Sequence, residues 1–354
     1  MNSASHSRLQ ALDGLRGVSI LLVLISHAWL GHIVPGGLGV TIFFFISGYI
    51  ITRLMIAEWD KTEHISISKF YLRRFFRLMP ALIVFVLISL GVMQLAGVQW
   101  QWIELMSVFF YFANYFGIFV GFSGDVLPPP LSITWSLAVE EHFYMLFPFV
   151  FSVCIAFPRR FLAGLLTFIV AILLWRLYLV YGVGLDHLLH YRIYKATDTR
   201  ADSIMYGTCF ALIQARYPVW AAYFAQRKAA IAGLLLMLAS LLIRDENFRE
   251  SWRYSIQGIA LTLMFTYLIT ASNFVSHLLA SQTMVYIGRI SYSLYLYHWL
   301  VFGIITFWLP DWSLPARFCL MMLASFALAD GSQRLVEAPF LRLGQRYLQA
   351  GTKR

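Results

Sequence analysis

The sequence predicts an all-α protein that crosses a membrane about ten times, because its composition, its apolar segments and its basic residues all agree with that fold. Of its 354 residues, 60% are hydrophobic and 12% are charged, and the mean hydropathy is +0.71. Soluble domains carry roughly 25% charged residues. The chain is therefore predicted to be embedded in a lipid bilayer, with no room for a sizeable soluble domain.

Apolar segments recur along the whole chain, and a helix needs about 20 residues to cross the hydrocarbon core. They lie near residues 15–34, 37–57, 78–98, 102–120, 136–157, 161–181, 201–215, 229–243, 254–275, 285–309 and 314–336. If all eleven crossed from a cytoplasmic N-terminus, the basic stretches at 158–160 and 216–228 would lie outside, against the positive-inside rule. If 102–120, which Asn114 interrupts, does not cross fully, these stretches become cytoplasmic. We therefore predict about ten crossings of the inner (plasma) membrane by a single domain over 1–354, with both termini in the cytoplasm.

The charge and the cysteines argue against two other kinds of site. The formal net charge is +10, but excess Lys and Arg in a membrane protein marks cytoplasmic loops and lipid headgroups, so we expect no nucleic-acid partner. Cys154, Cys209 and Cys319 lie far apart within apolar segments. They are predicted to pack, and neither a disulfide framework nor a metal site is expected.

The first candidate residues lie in "LDGLRGVSILLVLISHAW", which carries Arg16 and His27. Eleven residues are about three helical turns, so the two side chains are predicted to share one face at a separation of roughly 16 Å. An ionisable residue in a span usually faces a cavity, a partner or a substrate path. The alternative is that Arg16 anchors the helix at the headgroups and His27 bonds a neighbouring helix. The residues alone leave both interpretations open.

An arginine pair lies in "SKFYLRRFFRLMPAL", where Arg74 and Arg77 are three residues apart and share a helix face, while Arg73 points elsewhere. Two guanidinium groups are suited to binding phosphate. An amphipathic collar on anionic lipid explains the cluster equally well.

Adjacent carboxylates occur in "ITWSLAVEEHFYMLFPFV" at Glu140 and Glu141, followed by His142. Neighbouring positions diverge by about 100° on a helix, so both carboxylates cannot face one cavity squarely. A carboxylate beside an imidazole would fix the tautomer of a catalytic base. His142 is predicted to cap or pack.

Later segments add further ionisable residues. The spacing of Asp330, Arg334 and Glu337 favours internal ion pairs. His298 lies near the middle of its span, which leaves function and packing open, and the role of Asp202 is also open.

Taken in order, these stretches resemble acyltransferase family 3 of the membrane-bound O-acyltransferases, over nearly the whole chain. The stretches are "LDGLRGVSILLVLISH", "GGLGVTIFFFISGYIIT", "FYLRRFFRLMPAL", "WSLAVEEHFYMLFP", "TRADSIMYG", "IGRISYSLYLYHW" and "VEAPF". Two positions depart from the family pattern, since Thr41 stands where many relatives carry an acidic residue and His142 replaces a usual glutamine. Many relatives also carry a fused extracytoplasmic hydrolase-like domain, and this chain is expected to be the stand-alone form.

The resemblance implies transfer of an acyl group, most simply acetyl, from cytoplasmic acyl-CoA to a hydroxyl of a carbohydrate or a glycosylated small molecule. It implies that His27 is the general base and that Glu140 and Glu141 are also catalytic. It implies that Arg16, Arg74 and Arg77 bind the donor.

A proton-coupled secondary transporter is the alternative from another class, because mid-membrane Arg, Glu, Asp and His residues also describe a carrier. Its expected signature, interrupted spans at matching positions of two halves, is not evident in the sequence. The arginine pair and the ordered motifs favour the enzyme.

Overall fold

The computed structural model describes residues 3–124, 127–270 and 273–350, and within them every regular element is a helix. The α-helices, α1 to α18 in chain order, are Ser3–Ile25, Gly36–Thr62, Ile67–Leu95, Trp102–Phe109, Ala113–Phe119, Trp135–Cys154, Pro158–Leu177, His187–Lys195, Thr197–Arg216, Pro218–Phe224, Arg227–Leu242, Glu246–Glu250, Trp252–Thr270, Phe274–Leu279, Gln282–Arg289, Ser291–Trp308, Leu314–Ser332 and Ala338–Ala350. Shorter π-helical turns are Ser26–Leu30, Tyr178–Val183 and Gln333–Glu337, and Pro130–Thr134 is a 3₁₀ helix.

Several of these helices are long and apolar enough to cross a membrane. Six qualify in the described part of the chain, and the number rises to eight if two bent helix pairs each count as one span. The single spans are Gln10–Leu30, Gly36–Thr62, Ile67–Leu95, Pro130–Cys154, Pro158–Val183 and Leu314–Gln349. The predicted all-α polytopic membrane fold is confirmed, whereas the count of about ten crossings stays a prediction.

The aromatic segment 102–120 is broken, as the sequence suggested. It forms α4 and α5, which are separated at Tyr111, a non-glycine residue with φ of 59°. Each of these helices is only about 10–12 Å long by rise per residue. Since the hydrocarbon core is about 30 Å thick, neither helix can cross it alone.

Helix α9 covers the predicted span 201–215 but is not one of the apolar spans above, and it carries the charged residues Arg200 and Asp202. Both side chains are fully buried, and so is most of the helix between Thr199 and Ile213. A helix that is surrounded by protein can carry charges that a lipid-facing helix cannot. The hydropathy of α9 therefore does not reveal how deeply this helix is buried in the protein.

The chain divides into two compact units that alternate along the sequence. The first unit comprises Met1–Leu21, Gly37–Ile65 and Trp135–Arg289, and the second comprises Leu22–Gly36, Ser66–Thr134 and Ile290–Arg354. The single domain over 1–354 stays a prediction.

Helix α16 is bonded to several elements of the second unit. The Ser293 hydroxyl donates to Glu337 Oε1 at 2.5 Å and lies 2.8 Å from the Ser332 hydroxyl. Nearby, Arg334 and Asp330 form the predicted ion pair at 2.9 Å. These bonds fix the end of α17 against α16.

The three cysteines, Cys154, Cys209 and Cys319, are all free thiols, as their spacing predicted.

Candidate active site

His27 lies where α1 loses its regular geometry. The α-helix ends at Ile25, and the π-helical turn Ser26–Leu30 carries the histidine and then kinks, with Trp29 at φ of 62°. A bulky residue in this backbone region is strained, and such strain and π-helical turns cluster at functional sites. Gly36 closes the turn, because a Cβ there would lie 2.6 Å from the Ser26 side chain.

The structure pairs His27 with His298 of α16, although 271 residues separate them in the chain. His27 Nδ1 lies 2.9 Å from His298 Nε2, and the two rings are inclined by only 10°. His298 is 0% exposed, and its Nδ1 lies 3.0 Å from the Leu294 carbonyl oxygen. His27 itself is half-buried. A partly accessible imidazole is thus backed by one that is fully enclosed.

Two aromatic residues of α16 complete the surroundings of this pair. Trp299 presents an edge to His27 at a centroid distance of 4.9 Å, and its indole N–H donates to the Pro129 carbonyl at 3.0 Å. The Tyr295 hydroxyl donates to the Ile133 carbonyl at 3.2 Å. The sequence interpretation did not single out either aromatic residue. Tyr295 and Trp299 are four residues apart, so they share one face of α16.

The arginine pair lies on α3, with Arg74 half-buried and Arg77 exposed. Next to Arg77, the Leu78 carbonyl accepts a hydrogen bond of 3.1 Å from the Tyr292 hydroxyl of α16. Tyr292 precedes His298 by six residues, which is about 9 Å along the helix. Helix α16 therefore connects the level of the arginine pair to the level of His27.

Arg16 lies in the first unit, where its guanidinium is 4.0 Å from Asp13 Oδ1. Asp13 also receives Arg289 at 4.0 Å on its other oxygen. Gly14 is required here, since a Cβ would lie 1.8 Å from the Leu279 carbonyl oxygen. The "LDGLRG" motif thus packs closely and holds Arg16 beside an acid that the sequence interpretation did not select.

The acidic pair also lies in the first unit. The Ser47 hydroxyl donates to Glu140 Oε1 at 3.1 Å, and both Glu140 and Glu141 are half-buried. His142 Nδ1 lies 2.7 Å from the Thr197 hydroxyl.

The candidate residues are therefore distributed over both units. The second unit brings together His27 and His298 and also contains Arg74 and Arg77. The first unit contains Arg16, Glu140 and Glu141. Among residues 3–124, 127–270 and 273–350, no group of three or more His, Cys, Asp or Glu side chains could hold a metal ion.

Asp202, whose role the sequence left open, forms a fully buried ion pair with Arg176 at 2.7 Å. The same guanidinium donates to the Ser251 carbonyl at 3.0 Å, to the Thr199 carbonyl at 2.6 Å and to the Ser255 hydroxyl at 2.6 Å. Arg176 thus joins α7, α9 and the start of α13. Asp202 has a structural partner in the core of the first unit.

Arg200 is also fully buried, but its neighbours are neutral. It donates to the Tyr194 carbonyl at 3.1 Å and to the Thr41 hydroxyl at 3.2 Å, and it lies 4.1 Å from the Tyr254 ring centroid. Its Nε has no hydrogen-bond partner, and no carboxylate in the described part of the chain forms an ion pair with it. The departure from an acidic residue at Thr41 therefore leaves a buried charge without a counter-charge.

Replacing Thr41 with aspartate is expected to stabilise the protein. A carboxylate at this position would neutralise Arg200, and a hydrogen bond to a charged group is worth about 1.5–3 kcal/mol. The measurement is the free energy of unfolding in mixed micelles, with Thr41→Asn as the uncharged control of similar shape. A Thr41→Asp variant no more stable than Thr41→Asn would contradict the unpaired charge of Arg200.

Comparison with known proteins assigns the chain a family context. A family model described as an acyltransferase domain matches residues 9–331. The chain is 28% identical to the peptidoglycan O-acetyltransferase OatA of Listeria monocytogenes, over 96% of this chain and 57% of the relative. It is also 28% identical to the O-acetyltransferase OatA of Staphylococcus aureus strain NCTC 8325, over 95% and 58%. A protein of S. aureus strain COL with a provisional O-acetyltransferase name gives 28% over 96% and 58%.

The chain therefore spans less than two thirds of the length of these relatives. No solved structure matches it.

Proposed function

Because this chain belongs to acyltransferase family 3, we propose that it is a membrane O-acyltransferase. It moves an acyl group, most simply acetyl, from cytoplasmic acyl-CoA to a hydroxyl of a carbohydrate or a glycosylated small molecule. The names of the relatives support acetyl as the group, and the Listeria relative supports a polysaccharide as the acceptor. In this proposal the protein lies in the inner (plasma) membrane with both termini in the cytoplasm.

The observation that carries this proposal is the half-buried His27 held against the buried His298 at a break in α1. A general base needs an accessible lone pair and a fixed ring. The His27 imidazole takes the proton of the acceptor hydroxyl while the hydroxyl oxygen attacks the thioester carbonyl. The carbon–sulfur bond then breaks, and the CoA thiolate leaves with the proton from His27.

The other candidate residues have supporting roles in this proposal. Arg74 and Arg77 bind the phosphates of the donor. Helix α16 runs from Tyr292, which is bonded next to Arg77, to His298, which contacts His27, so the thioester end of the donor would lie along α16 from its phosphates. Arg16 assists at the donor side. His298 already holds Nδ1 of His27, so no carboxylate is needed to orient that nitrogen.

Glu140 and Glu141 have a different proposed role, which does not involve Nδ1 of His27. In the first unit, Glu140 accepts from Ser47, which positions one carboxylate of the pair. We propose that the pair binds the acceptor hydroxyl groups, since ionised carboxylates are strong acceptors for O–H donors.

The test is mass spectrometry of glycans and small metabolites from matched cells that lack the protein, express it, or express a His27→Ala variant at the same level. Acyl transfer predicts an acyl mass difference that only the wild-type protein produces. Equal acylation in all three cultures would refute the proposal. Substrate counterflow by the purified protein without CoA would instead favour the proton-coupled carrier.

Replacing Arg74 and Arg77 together with alanine is expected to weaken acetyl-CoA binding by about ten- to hundredfold for each hydrogen bond to a charged group that is lost. The measurement is a calorimetric titration of purified protein with acetyl-CoA. Lys61→Ala is the control, because Lys61 is an exposed basic residue at the end of α2, and this variant should bind normally. If all variants bind equally, the arginine pair is an interfacial collar and not a donor site.

A further inference from the structure

We propose that His298 is a positioning residue: it fixes the proton of His27 on Nδ1 and so leaves Nε2 as the nitrogen that takes the proton of the acceptor. This inference rests on the proposed acyl transfer for its catalytic meaning. The chain of hydrogen bonds that carries it, from Leu294 through His298 to His27, lies within the second unit.

His298 carries a proton on Nδ1. A carbonyl oxygen can only accept, so the 3.0 Å contact with the Leu294 carbonyl requires that His298 Nδ1 carries a hydrogen. His298 is 0% exposed, and burying a charged imidazole without a counter-charge is costly. The ring is therefore neutral, and its only hydrogen on nitrogen is at Nδ1.

Since His298 Nε2 then carries a lone pair, the 2.9 Å contact can be a hydrogen bond only if His27 Nδ1 donates. A neutral imidazole has one N–H, so His27 Nε2 carries its lone pair. The carbonyl of a helix residue thus dictates the tautomer of a histidine 267 positions away, with His298 as the intermediary.

The surroundings hold both rings in this geometry. The rings are inclined by 10°, which keeps the donor and acceptor nearly in one plane. Trp299 contacts His27 edge-on and is itself anchored to the Pro129 carbonyl. A general base needs a third group that orients it, and the fixed His298 meets that requirement without a carboxylate.

His298 does not itself act as the base. It is enclosed, its Nε2 faces His27, and the Leu294 carbonyl cannot take over the proton from Nδ1. No proton can therefore pass through His298 and onward, and its contribution is limited to orientation and tautomer. The protein lowers the cost of the correct tautomer before the substrate binds.

The direct test is nitrogen NMR of purified protein labelled with ¹⁵N-histidine in micelles. Protonated and unprotonated ring nitrogens have well-separated shifts, and the His27 signals among the nine histidines are those lost in a His27→Gln variant. We expect a protonated Nδ1 and an unprotonated Nε2 in the wild type, and a loss of this preference in His298→Phe. A wild-type His27 with its proton on Nε2 would overturn the proposal, whatever the activity.

The kinetic test compares His298→Phe with His298→Gln, because glutamine keeps an acceptor for His27 Nδ1–H and phenylalanine does not. We expect His298→Phe to lower kcat by roughly 10²–10⁴-fold with little change in the KM for acetyl-CoA. His298→Gln should recover at least about a tenth of the wild-type kcat, as expected when orientation is largely kept. If glutamine is no better than phenylalanine, His298 acts only in packing.

Ser293→Ala is the matched control on the same helix, since it also removes a buried polar contact of α16 but lies away from His27. It should lower stability without lowering kcat per folded molecule. If wild-type protein has the expected tautomer but no transfer activity in any assay, the proposed function fails while the role of His298 in setting the proton of His27 stands. If His298→Phe does not fold, the wild-type spectrum and the glutamine variant still decide.

Discussion

Replacing His27 with alanine is expected to lower kcat for acyl transfer by roughly 10²–10⁴-fold, the usual contribution of a general base. The variant loses the only group of the His27–His298 pair that is accessible to an acceptor, because His298 is fully buried. The KM for acetyl-CoA should change little, since the proposed phosphate contacts are on α3. The measurement is the steady-state release of CoA thiol by purified protein with the acceptor that mass spectrometry identifies.

His32→Ala provides the matched control, because His32 is an exposed histidine only five residues further along the chain. Its free energy of unfolding should change by less than about 0.5 kcal/mol, as is usual for surface substitutions, and its kcat should stay at the wild-type level. Full acyl transfer by the His27→Ala variant would contradict the assignment of the base. Equal losses in both variants would indicate damage to the loop after α1 and not to the catalytic site.

The fold class could be predicted because composition determines it. A chain with 60% hydrophobic residues can form all its backbone hydrogen bonds in a bilayer only as helices or a closed barrel. The long apolar segments favour helices. Asn114 and the aromatic residues of 102–120 indicated that this segment would not cross the membrane as one helix, and the structure breaks it at Tyr111. The family resemblance is confirmed by the match over residues 9–331.

The partners of the candidate residues could not be predicted, because they come from distant parts of the chain. Local spacing identified the pair of Asp330 and Arg334, which are four residues apart on one helix. No helical period relates His27 to His298, and the sequence interpretation considered a carboxylate such as Glu141 as the orienting group. Tertiary packing brings His298 to Nδ1 of His27, and single-sequence patterns do not encode such a contact.

Regular helix geometry was the other assumption that the structure changes. The three-turn separation of Arg16 and His27 presumes an α-helix throughout, whereas the α-helix ends at Ile25 and a π-helical turn follows. The residues Ser26–Leu30 contain neither proline nor glycine, the usual signals of a break. After the break, Gly36 comes so close to Ser26 that a Cβ there would lie 2.6 Å from its side chain, and a linear pattern does not reveal this contact.

The second large effect is expected from Asp202→Asn, which should destabilise the protein by about 3–5 kcal/mol, the cost of removing one partner of a buried ion pair. Arg176 would keep its charge at 0% exposure without a counter-charge. Asp198→Asn is the matched control on the same helix. Asp198 pairs with Arg192 at 2.6 Å, but the two side chains are 37% and 20% exposed, so the expected change is below about 1 kcal/mol.

The measurement is the free energy of unfolding of both variants in mixed micelles. Both variants make the same Asp→Asn change, so the difference between their effects reports the burial of the ion pair. Replacing Asp202 with leucine and Arg176 with methionine together removes the unpaired charge. It also leaves the carbonyls of Ser251 and Thr199 without their donor, so we expect only partial recovery of stability. Small and equal losses in the two asparagine variants would mean that water reaches Arg176, and that the core of the first unit is not held together by this ion pair.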